Sequence, residues 1–144
     1  MDSNVESLRR LFERFNEYGE LDFAAVDPDV ELHDRPDVPD QRVWRGIEGI
    51  RAFFQKTAES FDPIRWEPRE FTRLGRHVVV RAHVVAYGAT SGTAIEVDEA
   101  QLWTFREGLI VRLQAFPTIE EAYATARALD ERDGIDSAPR SPSE

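Results

Sequence analysis

The sequence predicts an α+β domain: a cone built on a strongly bent antiparallel sheet, with helices packed on its concave face. Three observations carry this. Helical periodicity is confined to N-terminal blocks and one C-terminal block. Between them, from Ile64 to Phe116, apolar and polar residues alternate along successive segments separated by glycine turns. Helices grouped around a meander, instead of alternating with its strands, argue for α+β over a parallel sheet.

Taken in order, Ser3-Asn4-Val5-Glu6 has the form of a capping box, in which hydroxyl and carboxylate satisfy free amides at a helix start. Leu8, Leu11, Phe12 and Phe15 then recur at helical spacing, and Gly19 is suited to end the helix. Leu21 to Val26 reads as a second short helix, stopped by Asp27-Pro28. Val30 to Asp34 reads as a short strand, with Val30, Leu32 and Asp34 on one face and Glu31 and His33 on the other. The two prolines and the charges of Arg35 to Arg42 make a loop. Helix returns over Gly46 to Phe61, with Ile47, Ile50, Phe54 and Phe61 as its inner stripe and Phe53 beside it.

Ile64 to Leu74 alternates weakly, and Gly75-Arg76 is a turn. In His77 to Tyr87, Val78, Val80, Ala82, Val84 and Ala86 face one way; His77, Val79, Arg81, His83, Val85 and Tyr87 face the other. After a turn over Gly88 to Gly92, Ala94 to Phe105 and Leu109 to Phe116 form a hairpin about Glu107-Gly108. Thr118-Ile119-Glu120-Glu121 is a second capping box, opening a helix to about Arg132. The domain is expected over residues 3–132. Residues 133–144, rich in Gly, Pro and Ser, are expected to be a mobile tail.

Composition narrows the function. A chain of 144 residues suits one domain with a real core. No apolar run approaches the roughly 20 residues of a membrane helix. MDSNVESLRR lacks the basic start and apolar block of a signal peptide, so the cytoplasm is the expected location. There is no cysteine, which excludes disulfides and thiol chemistry, and three histidines argue against zinc. No metal or organic cofactor is expected. The net charge of -10 argues against nucleic acid and anionic membranes as partners. Of the 18 basic residues all but Lys56 are arginine, which carries no mechanistic weight.

The most informative segment is Val97 to Pro117. Val97, Glu99, Gln101, Trp103 and Phe105 share one face, so an acid and an amide sit on an apolar sheet surface. Such groups need partners, and a pocket is one way to supply them.

Several segments together resemble a known family. They are Trp44-Arg45-Gly46-Ile47-Glu48-Gly49-Ile50 followed by Phe53-Phe54, Ser91-Gly92 with Ile95-Glu96-Val97, and Leu102-Trp103-Thr104-Phe105-Arg106-Glu107-Gly108 with Ile110-Val111-Arg112. The chain resembles the SnoaL-like proteins of the nuclear transport factor 2-like superfamily over roughly Val5 to Leu129. That resemblance implies the cone fold. It leaves function open, because the fold hosts isomerases, polyketide cyclases, dehydratases, epoxide hydrolases and non-catalytic binders. Ketosteroid isomerases in this superfamily use an Asp base with a Tyr and a protonated Asp as oxyanion donors. By resemblance Leu32-His33-Asp34 with Pro36 puts Asp34 at the base position. The Tyr position falls at Leu11 or Phe12 and the second Asp at Gln101, so steroid isomerisation is not expected. The His of scytalone dehydratase and the Asp-Arg-Asp set of limonene epoxide hydrolase find no match, since Arg81 and Arg112 have outward parity.

The candidate residues each have two readings. Asp34, inward at the mouth of the cone, is a general base if desolvation raises its pKa. Otherwise it pairs with Arg35 or Arg42, or caps a turn before Pro36. Glu99 and Gln101 are a polar pair for a ligand, or a solvated strand end with Glu99 on an arginine. Trp103 reads as a pocket wall and Trp44 as a packing residue on the lid side, with core roles as the alternative. Phe54, with Val80, Ala82, Val84, Leu113 and Ala115, would supply apolar lining. Tyr18 either reaches the mouth or is an exposed aromatic. His33, His77 and His83 read as surface or interface residues. Val79, Arg81, His83, Val85, Tyr87 and Leu102 make an outer face too apolar for bare solvent, which predicts a homodimer through it.

The expected function is a cofactor-independent SnoaL-like enzyme, an isomerase, cyclase or lyase. It would act on a hydrophobic carbonyl-bearing ligand of polyketide or terpenoid type. Asp34 would remove a proton, Gln101 would hydrogen-bond the carbonyl oxygen and Trp103 would hold the ring. A dimeric, non-catalytic module binding a small apolar ligand stands beside it. So does an interaction domain whose cavity its own side chains fill.

Overall fold

The computed structural model describes residues 3–137, with side chains described for 3–132. Helix α1 spans Ser3–Tyr18, followed by a 3-10 turn at Phe23–Ala25 and strands β1 (Val26–His33) and β2 (Val43–Arg45). Helix α2 spans Gly46–Ala58. The meander is β3 (Phe61–Leu74), β4 (His77–Gly88), β5 (Ala94–Arg106) and β6 (Leu109–Phe116), and α3 covers Ile119–Ser137.

The six strands form one sheet in the order β2-β1-β6-β5-β4-β3. It is mixed, which corrects the fully antiparallel expectation: β1 and β6 run parallel. Alternation reports which face a residue occupies but carries no information on a strand's distant neighbour, so this pairing had no local signal. Register shifts within β3, between Phe61 and Ile64 and between Pro68 and Glu70, mark bulges. Bulges of this kind bend a strand and increase its twist.

Several boundaries also move. The expected helix at Leu21 to Val26 is only the Phe23–Ala25 turn, capped by Asp22 Oδ1 accepting from the Ala24 amide at 3.1 Å. Strand β1 begins at Val26 and runs through Pro28. A register shift against β6 between Val26 and Glu31 accommodates the residue that cannot donate to the ladder. Phe61 opens β3 instead of closing α2. Helix α3 continues past Arg132 to Ser137, so part of the expected tail is helical. The rest of that tail, 138–144, lies outside the described residues.

Helices α1 and α2 pack on the inner face. Leu8, Leu11, Phe12 and Phe15 of α1 meet Trp66, Val80 and Trp103. Phe15 stacks on Trp66 with centroids 3.9 Å apart, and Phe12 meets Trp66 and Trp103 edge-on, each at 5.7 Å. The remaining helix departs from the expected arrangement. Helix α3 lies on the opposite, outer face, where Ala122 and Ala126 pack against Val79, Ala100, Leu102 and Phe116. Alanines one turn apart let the helix backbone approach the sheet closely. The Thr118 box closes by half: its hydroxyl accepts from the Glu121 amide at 3.2 Å, while the Glu121 carboxylate accepts from that hydroxyl at 2.9 Å instead of from the Thr118 amide.

The outer face is therefore smaller than the sequence suggested, because α3 covers Val79 and Leu102. His77 is buried as well, hydrogen-bonded through Nδ1 to Thr104 Oγ1 at 2.8 Å, and is not a surface residue. His83 is flanked by Asp98 and Glu96, at 2.9 and 2.7 Å, and their carboxylates raise its pKa. Asn16 closes the β3 edge. Its side chain accepts from the Trp66 amide at 2.8 Å and donates to the Trp66 carbonyl at 2.7 Å, as a neighbouring strand would.

Candidate functional site

Alternation along β5 directs Glu99, Gln101 and Trp103 to the inner face. The indole N–H of Trp103 donates to Gln101 Oε1 at 2.9 Å, and Gln101 Nε2 donates to Glu99 Oε2 at 2.9 Å. An indole only donates, so it fixes the direction of the chain. Gln101 must present its carbonyl to Trp103 and its amide to Glu99. Glu99 Oε2 is then an acceptor, and any proton on this carboxyl sits on Oε1.

Glu99 lines a cavity of about 220 Å³ between α2 and the sheet. That is below the roughly 300 Å³ typical of drug-sized pockets, so the space suits a small ligand. Leu32, Ile64, Trp66, Val84 and Leu113 line it from the sheet, and Phe53, Phe54 and Thr57 from α2. Its polar end carries Asp34, Arg35, Glu99 and Gln101. The Glu99 side chain is 12% exposed, and burial raises its pKa. The Gln101 hydrogen bond and the Arg35 charge oppose that rise.

Asp34 lines the same end, with both oxygens engaged. Oδ1 accepts from Trp44 Nε1 and Oδ2 from the Arg42 amide, both at 2.9 Å. The Asp34 amide donates to the Arg42 carbonyl at 3.0 Å, so the residue closes the neck of the 35–42 loop. Arg35 projects from that loop. Its Nε and Nη2 donate to the two oxygens of Asp37 at 3.0 and 3.1 Å, and Nη1 reaches Glu99 Oε1 at 3.4 Å. The Asp37 hydrogen bond raises the pKa of Arg35 and lowers that of Asp37.

Of the residues singled out in the sequence, Asp34, Phe54, Val84, Glu99, Gln101, Leu113 and Ala115 meet around this cavity. His33, expected at the surface or an interface, lines it too; Trp103, Val80, Ala82, Trp44 and Tyr18 do not. Trp103 is 0% exposed and packs inside the core, with Val80 and Ala82 beside it. These side chains sit beneath α1, which fills the deep end of the cone. Trp44 instead ties down Asp34, its ring covered by Arg42 at 4.0 Å. Tyr18 is 63% exposed under Arg14, away from the cavity. Val97, on the apolar side of β5 by parity, is 45% exposed, because β5 outruns the helices there.

Sequence reasoning missed Leu32, Phe53, Ile64, Trp66, Arg35, Val38, Thr57 and His33 as lining. The first four had a signal: Leu32 shares the Asp34 face, Ile64 and Trp66 alternate together, and Phe53 borders the α2 stripe. Arg35 and Val38 had none, since a loop has no period. Among the described residues, no group of three or more His, Asp or Glu side chains is arranged to hold a metal ion. No helix there is long and apolar enough to cross a membrane.

Solved structures share this architecture. A protein of unknown function from Burkholderia pseudomallei, described as nuclear transport factor 2-like, superposes with a TM-score of 0.71 at 22% identity, covering 86% of this chain and 97% of its own. TerC, crystallised with polyporic acid, gives 0.70 at 22% identity, covering 88% and 99%. A putative SnoaL-like polyketide cyclase from Jannaschia sp. CCS1 gives 0.66 at 24% identity, covering 96% and 94%. Identities this low establish the fold alone. No curated protein matches the chain. Residues 8–113 match the SnoaL-like domain, and with most of its length inside that match the chain belongs to the SnoaL-like family of the nuclear transport factor 2-like fold.

Proposed function

We propose that this protein binds a small, hydrophobic, carbonyl-bearing ligand in the cavity and moves a proton on it through Glu99. One observation carries the reading: a desolvated carboxyl, one oxygen held by Gln101, on the wall of an apolar cavity. A buried carboxyl beside bound ligand is placed to accept or give a proton. Asp34, the base by resemblance, is the weaker candidate, because both its oxygens are committed to the Trp44 and Arg42 donors, which hold it in place. The polyketide cyclase description of one structural neighbour and the polyporic acid bound to another support a ring-bearing, oxygenated ligand.

A non-catalytic binder is the second reading. Arg35 on Glu99, with Asp34 fully engaged, favours it, since both acids then have structural partners. The test is a thermal-shift panel of flat hydrophobic ketones, followed by deuterium exchange at the carbon next to the carbonyl of any hit. Exchange lost in Glu99→Gln but kept in Asp34→Asn supports the proposal. Loss in Asp34→Asn alone returns the role to Asp34. Binding without exchange in the wild type leaves the binder.

We also propose a homodimer through what α3 leaves open of the outer face, around Arg81, His83, Val85 and Tyr87. Sedimentation of the wild type beside Val85→Glu tests it: a dimer turned monomer by the substitution is expected, and a wild-type monomer overturns it.

A further inference from the structure

We propose that Arg35 is a catalytic residue of this pocket: its Nη1 edge receives the oxyanion that forms when Glu99 removes a proton from the ligand. The inference rests on the reading of Glu99 as the proton-transfer group. It assigns to Arg35 the part expected of Gln101.

The geometry sets Arg35 apart from an ordinary ion pair. Asp37 takes Nε and Nη2 in a fork, at 3.0 and 3.1 Å, which fixes the plane of the guanidinium. Nη1 is left for Glu99, beside it on the cavity wall, and its contact with Glu99 Oε1 is 3.4 Å. That is longer than a good N–H···O bond. One acid outside the cavity therefore holds the cation firmly, and the acid inside engages it loosely. A ligand oxygen arriving at Nη1 displaces a weak contact. Gln101 is less able to serve. Its carbonyl is committed to Trp103 and one amide hydrogen to Glu99. What remains is a single neutral N–H, a weaker donor to an anion than a guanidinium.

Charge conservation supplies the second argument. Arg35 faces Glu99 on β5, Asp37 on its own loop and the charge of Glu121 at the start of α3, with Asp34 next to it in the chain. Glu99 Oε1 takes the proton from the carbon beside the carbonyl. The C–H bond breaks, its electron pair becomes the enolate double bond, and the negative charge moves to the ligand oxygen. Glu99 is then neutral. The guanidinium has exchanged one counter-anion for another at the same edge, and the net charge of the site is unchanged. In a desolvated cavity this avoids creating an unpaired charge, and the donor is already oriented when the charge develops. Return of the proton from Glu99 to carbon regenerates the starting state or its isomer.

Two probes test this on the full chain. 4-Nitrophenol reports oxyanion binding through its colour change on ionisation, and 2-tetralone reports proton transfer by deuterium exchange. In the wild type, bound nitrophenol is expected to ionise at lower pH than in water. Arg35→Met, checked for folding by melting temperature, is expected to retain both probes. Its nitrophenol midpoint should rise by about one pH unit, a roughly ten-fold loss of bound phenolate, and tetralone exchange should slow at least as much. Arg35→Lys should recover part of both effects. Glu99→Gln should act in opposite directions on the two probes: exchange is lost, while phenolate binds more tightly because Arg35 has no competing carboxylate. An unchanged midpoint and exchange rate in Arg35→Met would overturn the role of Arg35 and leave Glu99 standing. Wild-type exchange in Glu99→Gln overturns the underlying reading, and failure of the wild type to bind either probe overturns both.

Discussion

Replacing Trp103 by Phe deletes one N–H at the buried end of the chain that orients Glu99. The indole is 0% exposed and its acceptor, Gln101, is 1% exposed, so water cannot replace the lost donor. Leaving that amide oxygen unsatisfied costs about 1–3 kcal/mol. The smaller ring leaves a void beside Phe12 and Trp66, for which about 1 kcal/mol more is reasonable. We predict a total near 3 kcal/mol and a fall in Tm of roughly 10 °C. Without the indole nothing dictates how the Gln101 amide points. Turning its oxygen toward Glu99 disfavours the carboxylate, so the Glu99 pKa should rise further. The assay is urea unfolding of Trp103→Phe, Gln101→Met and the double variant. The double variant removes both ends of the bond, so it should lose about 1–2 kcal/mol less than the two single losses added together. Additivity within about 0.5 kcal/mol would refute the claim that Trp103 acts through Gln101.

Other outcomes follow from the same geometry. Burial raises the Glu99 pKa, so the folded state holds this proton more tightly than the unfolded chain does. Stability should therefore fall as pH rises from the ordinary carboxylate value through the raised one. Glu99→Gln should flatten that slope, and unfolding titrations from pH 4 to 8 check it. Asn16→Ala removes both hydrogen bonds to the Trp66 backbone and is expected to cost about 1–3 kcal/mol, with faster aggregation seen by light scattering from the uncovered edge. Ala126→Leu pushes a larger side chain between α3 and the outer face and should cost about 1–3 kcal/mol in thermal unfolding, while ligand binding on the inner face stays unchanged.

How much was legible in the sequence depended on whether a feature has a period. Strands β4 to β6 are long and bounded by turn signals, so their faces and hairpins could be read by parity, and with them the inward setting of Glu99 and Gln101. Features without a period were lost. Strand β2 has three residues, too few to alternate. Pro28 hid the first half of β1 by resembling a stop signal. The outer position of α3 was obscured because the periodicity of Ile119, Ala122, Tyr123, Ala126 and Leu129 marks a packed face but not which side of the sheet it meets. Parity placed Asp34 correctly on the inner side, but its partners are a main-chain amide and an indole beyond the loop. Parity also placed Trp103, Val80 and Ala82 inward, though it cannot tell a cavity wall from a side chain that a helix covers. Arg35 lies where only three-dimensional closure brings it to Glu99.

The polar chain and the cavity walls come from different parts of the molecule. Trp103, Gln101 and Glu99 are alternate residues of one strand, locked in series by hydrogen bonds. The walls are drawn from α2, β1, β3, β4 and β6. Substitutions at Phe53, Phe54, Ile64 or Leu113 can therefore reshape the space a ligand occupies without disturbing how the acid is held. A lineage carrying this arrangement can change what it accepts many times over while inheriting the same reactive group, and libraries that randomise those four positions sample new ligands at little risk to the chemistry.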